Sequence, residues 1–90
     1  MKDTLQDLLQ QDVVVDTRSA WLYIGTLSEV RSDSLLLTDV DVHDSGETAA
    51  PKERYVLDSK KTGIHANRRR VHVNMEYVVS VSRLADVITF

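Results

Sequence analysis

Arg68, Arg69 and Arg70, followed by His72 and Asn74, concentrate positive charge in one short stretch. In an extended conformation, alternation puts Arg68, Arg70, His72 and Asn74 on one face. Such a row can follow a phosphate backbone by charge and hydrogen bonding. The plainer account is a solvated cluster protecting a sheet edge, or pairing with acids such as Asp39 and Asp41. Those two acids share a period-two pattern with His43, and Asp44 is adjacent. Two carboxylates and an imidazole suit a divalent metal. Consecutive same-face residues of a strand lie about 7 Å apart, which is wide for three ligands on one ion. A solvated acidic face is therefore the expectation, with no metal or cofactor implied. His65 and His72 have no ligand spacing around them and read as surface residues. Trp21 and Tyr23 lie on the face opposite Leu22 and Ile24. Exposed, they could stack on bases. Cover by Leu5, Leu8 and Leu9 is the more economical account.

Catalysis finds little support. No G-x-S-x-G, H-E-x-x-H or P-loop pattern is present, and a 90-residue chain offers little pocket volume. The chain has no cysteine, which removes disulfides and thiolate chemistry and suits a reducing, cytoplasmic setting. Its 42% hydrophobic and 28% charged residues are the composition of a globular domain, expected to span 1–90 as one unit. Neither a secretory signal nor a membrane span is expected, because the apolar runs are short. The net charge of −3 conceals an asymmetry: residues 1–50 hold 10 acids and 3 bases, and residues 51–90 hold 4 acids and 8 bases. Any contact with nucleic acid is then confined to one basic patch.

The elements that must position these residues follow from periodicity. Leu5, Leu8 and Leu9 after Thr4-x-x-Asp7 predict a short leading helix, too short to stand alone. Strands are expected at Val13–Thr17, Ala20–Val30, Leu35–His43, Arg69–Asn74 and Tyr77–Ser82. The apolar phase of the second strand changes at Gly25, which predicts a bulge or sharp bend. Pro51 and Gly63 bracket a predicted helix over Lys52–Thr62, with Lys60 and Lys61 at its C-terminal end. A strand at Arg54–Asp58 is the rival, because Tyr55 and Val56 also favour strands. The outline is mainly β: a short helix, then a five-stranded, strongly bent antiparallel barrel with an extra helix between strands three and four.

Two stretches sharpen that outline. Gly25-Thr-Leu-Ser-Glu-Val30, a short polar loop and Leu35-Leu-Leu-Thr-Asp-Val40 resemble the first motif of the Sm-like proteins (Sm, LSm and Hfq). Val71-His-Val-Asn-Met-Glu-Tyr-Val78-Val-Ser-Val81 resembles the second. The likeness covers most of the chain but not residues 44–68. It implies an SH3-like barrel that assembles into a closed homo-oligomeric ring of about five to seven subunits, strand four of one copy pairing with strand five of the next. Val71, Val73, Val78, Val79 and Val81 would then form the interface. It also implies single-stranded RNA bound at the loop after strand two and at the second motif. The matching positions are Arg31, Asp33, Ser34 and Asn74. This loop offers no aromatic, His or Met to stack a base, and Asn74 and Met75 replace the motif's Arg-Gly. The remaining RNA candidates are Arg68, Arg69, Arg70 and His72. Two functions from different classes follow. One is an RNA-binding ring or ribonucleoprotein scaffold. The other is a ring-forming protein-interaction module that has lost the nucleotide pocket.

Overall fold

The computed structural model describes residues 5–46 and 51–89. Five strands form one sheet: β1 (Asp12–Thr17), β2 (Trp21–Val30), β3 (Ser34–Asp44), β4 (Arg68–Asn74) and β5 (Val78–Arg83). Helix α1 (Lys52–Thr62) lies between β3 and β4, and 3-10 turns at Met75–Tyr77 and Leu84–Asp86 follow β4 and β5. The spatial order is β4-β3-β2-β1-β5, with every pair antiparallel. Each strand lies within a residue or so of its expected bounds. The helix matches Lys52–Thr62, which removes the rival strand.

The sheet has an apolar layer on each side. Val13, Val15, Leu27, Leu35, Leu37, Val40 and Val73 fill the inner core, joined by Leu5. Val14, Leu22 and Ile24 form the outer layer, roofed by Val56 of α1 and by Leu84. The alternation of β1 thus serves both faces, which explains its unbroken run of valines.

The phase change at Gly25 is a bulge, and its extra residue sits on β3. Ile24 pairs with Asp41 and Thr26 with Thr38, so Gly25 faces both Asp39 and Val40. Asp39 adopts φ 49°, the left-handed conformation that aspartate tolerates better than most residues. A Cβ on Gly25 would lie 3.1 Å from the Thr38 carbonyl oxygen and 3.1 Å from the Val40 Cα. The approach is tight enough that any side chain there would push the backbone of β3 back by a few tenths of an ångström. A compensating bulge at Ser28 restores the register before Glu29 pairs with Leu36.

Helix α1 ends as its sequence suggests. Gly63 takes φ 94° and donates its N–H to the Ser59 carbonyl at 2.9 Å. The start of the expected leading helix, at Thr4, lies outside the described residues. Leu5 and Gln6 are helical, residues 7–10 are turn, and Leu8 N–H donates to the Leu5 carbonyl at 2.9 Å. Gln10 N–H then donates to the Leu27 carbonyl at 2.7 Å, which fastens the segment to β2. Leu5, Leu8 and Leu9 dock on the inner core.

Candidate nucleic-acid interface

Sequence-distant candidates meet at one end of the sheet. Ser34 pairs with Asn74 across β3 and β4, and Met75 N–H donates to the Asp33 carbonyl at 2.9 Å. Arg31, Asp33, Ser34 and Asn74 therefore form one cluster. Its chemistry is unwelcoming to an anion. The Arg31 guanidinium is 3.3 Å from the Glu29 carboxylate, and Asp33 and Glu76 add two more acids. Asn74 Oδ1 accepts the Glu76 N–H at 3.0 Å and so caps the 3-10 turn. Met75 packs against the inner core.

Arg68, Arg69 and Arg70 lie toward the opposite end of β4, about 13 to 20 Å from Asn74 at the usual strand rise. The structure separates the arginines from the loop cluster, while His72 lies beside Asn74 in the lining of one cavity. All three arginines are exposed, as are His72 and Asn74. Arg68 and Arg70 pair with Val40 and Thr38 of β3, so the expected shared face forms. Among the described residues none of the three has a carboxylate partner. Arg68 Nη1 donates to the Asn67 carbonyl at 3.0 Å.

The expected pairing with Asp39 and Asp41 fails for a physical reason. The bulge turns Asp39 out of line, and α1 covers the rest of that face. Asp41 is 2% exposed and His43 is also buried, so a solvated acidic face is corrected to a buried polar cluster. Tyr55 Oη donates to Asp41 Oδ2 at 2.5 Å and Asn67 Nδ2 to Asp41 Oδ1 at 3.3 Å. The Tyr55 ring stacks on His43 with centroids 3.8 Å apart. Burial, then the hydrogen bond and the negative charge of Asp41, push the Tyr55 hydroxyl up to about 12. Lysines fasten both ends of α1. Lys52 Nζ donates to Asp16 Oδ1 at 2.6 Å and to the carbonyls of Thr17 and Ser19. Lys60 Nζ donates to the carbonyls of Ala85 and Val87.

The interface candidates divide. Val73 is buried, and Val71, Val78 and Val81 pack partly against the inner core. Val79 alone is strongly exposed, at 60%. It is the additional residue at a bulge: Asp16 pairs with Ser80 and Thr17 with Val78, leaving Val79 outside the ladder. Each of β4 and β5 has one paired neighbour and one free edge.

Beside the free edge of β4 lies a cavity of about 370 Å³, lined by Trp21, Tyr23 and Tyr77 with His72, Val73 and Asn74. Trp21 is 42% exposed and Tyr77 50%. The leading leucines do not cover Trp21 as expected, and Tyr23 packs partly on the inner core while its ring also lines this cavity. The guanidinium of Arg18 sits 5.0 Å from the centre of the Tyr77 ring, on the same side of the molecule. Sequence reading did not assign Tyr77 to any site. Its only signal was a large aromatic in a tight turn between two edge strands.

No helix among the described residues is long and apolar enough to cross a membrane. No family model matches the sequence, and no curated protein does. Solved structures do. An Sm protein of Pyrococcus abyssii, determined in complex with a uridine heptamer, is 15% identical, with a TM-score of 0.59 over 90% of this chain and 93% of that one. An Sm-like archaeal protein from Pyrobaculum aerophilum is 17% identical, with a TM-score of 0.61 over 92% of this chain and 50% of that one. At such identities the likeness is one of architecture, and together with the order β4-β3-β2-β1-β5 it gives this chain the Sm-like fold.

Proposed function

We propose that this chain is a ring-forming scaffold that holds single-stranded RNA chiefly through phosphate contacts. The carrying observation is the state of β4: a free backbone edge bearing three exposed arginines with no carboxylate partner among the described residues. Ring closure would remove the free edges of β4 and β5 at once, with about five to seven copies the size expected from the resemblance to Sm-like proteins. The RNA-bound state of the Pyrococcus abyssii protein supports nucleic acid as the ligand. Arg68, Arg69, Arg70 and His72 are the contact residues of this reading. Arg31, Asp33, Ser34 and Asn74 contribute little, because acids crowd them and the Arg31–Ser34 loop itself carries no ring to stack a base.

Repetition around a ring raises effective concentration, so weak phosphate contacts add up. Titration of the purified protein with oligo-U and oligo-A across salt tests the reading. Affinity falls steeply, with a slope of about −0.7 per phosphate neutralised. The two sequences bind alike, and replacing the three arginines by alanine abolishes binding. A salt-insensitive preference for oligo-U would overturn phosphate-dominated binding. Light scattering reports a species several times the 10.2 kDa chain.

A second reading is a protein-assembly ring without RNA. The acids Asp33 and Glu76 beside Arg31 and Asn74 favour it. No binding to either oligonucleotide at low salt would select it.

A further inference from the structure

We infer that the cavity walled by Trp21 and Tyr77 is the seat for Val79 of a second copy of this chain. The inference rests on the ring reading above and supplies its specificity contact. The cavity and the valine are the two halves of one fit. Three aromatic rings surround an open hollow beside the free edge of β4. On β5, the other strand with a free edge, a bulge in the ladder to β1 leaves one valine unpaired and 60% exposed. A lone apolar side chain pushed outward on an unpaired edge costs solubility unless something covers it.

Chain direction agrees with this fit. The cavity lies at the C-terminal end of β4, by Val73 and Asn74, and Val79 lies at the N-terminal end of β5. Antiparallel pairing of the two edges brings those ends together. The same pairing sets the arginine end of β4 toward the far end of β5. There Asp16 and Asp86 are already paired with Lys52 and Arg83 of the same chain, so the orientation rests on the fit of valine and cavity and not on charge. Parallel pairing would place Val79 against Arg69 and Arg70 instead. An unstacked base is the other occupant that aromatic walls suit. It is disfavoured because the edge it would enter by is the edge that ring closure covers.

The chain has no cysteine and one tryptophan, so both probes are specific. Ser19, at the lip of the cavity, is exposed and is replaced as Ser19→Cys; the knob is replaced as Val79→Cys. Mixing the two variants with a short bismaleimide gives a covalent pair that neither variant gives alone. Trp21 emission shifts to the blue and resists acrylamide as the protein assembles. Val79→Ala moves the assembly midpoint to about tenfold higher concentration, the size expected of one central interface residue. An assembled protein in which Trp21 stays quenchable, and in which Val79→Ala changes nothing, overturns the inference and leaves the ring intact. Quenching of Trp21 by oligo-U without dissociation also overturns it, in favour of a base. A monomer at every concentration overturns the ring reading itself.

Discussion

The sheet face under α1 and the edge formed by β4 use the same kinds of side chain, yet one is closed and the other open. Under α1, Asp41 receives two donors, His43 lies against a tyrosine ring, and both lysines end on carbonyls. Along β4, three arginines stand in solvent at one end and a histidine borders the aromatic cavity at the other. Polar groups that are satisfied within the chain fix its shape, because burying them unpaired would be costly. Polar groups left unsatisfied at a free edge are available to a partner. Charge count alone does not separate the two cases; the bonding of each group does.

Breaking the closed side should cost stability. Tyr55→Phe removes a donor from a buried carboxylate and should lower unfolding free energy by about 2 kcal/mol, measured by urea melts. The same tyrosine gives a pH signature. Its hydroxyl titrates near 12 in the folded chain against 10.0 ordinarily, so its contribution is complete below pH 10 and fades as pH rises from 10 toward 12. In Tyr55→Phe that part of the alkaline decline disappears. Lys52→Met frees the start of α1 and should cost about 1 kcal/mol, less because the pair is partly exposed. On the open side, the triple arginine-to-alanine variant should shift stability by less than about 0.5 kcal/mol while losing RNA binding. Ser34→Ala should move neither stability nor binding measurably. A triple variant that unfolds would mean the arginines hold the chain together, and the contrast would fail.

The element plan was legible because it rests on local signals. Pro51 and Gly63 bracket α1, and the phase slip at Gly25 marks the bend. The register of the bend was not legible, since a glycine facing two residues does not say that Asp39 is the one displaced. Asp41 and His43 were misread for a related reason. Period two places them on one face of a strand, but the helix that buries that face comes from a segment that begins eight residues after the strand's end. The Arg31–Ser34 loop and Asn74 could be joined only through the resemblance to the Sm motifs, which the pairing of Ser34 with Asn74 supports. The aromatic cavity has walls from β2, β4 and the turn after it, and no periodicity within one segment reports such a meeting.

The pairing of β1 with β5 has a consequence in time. Val13 lies opposite Arg83, so the edge of β1 waits for the last strand of the sheet. Closing so long a loop is slow compared with forming the β2–β3 hairpin. Until it closes, β1 offers its unpaired edge to any β5, including that of another chain. Refolding at high concentration should therefore yield some copies with exchanged fifth strands, and refolding at high dilution should not. Such exchanged copies would come apart only by unfolding, whereas copies joined edge to edge through β4 would separate on dilution alone.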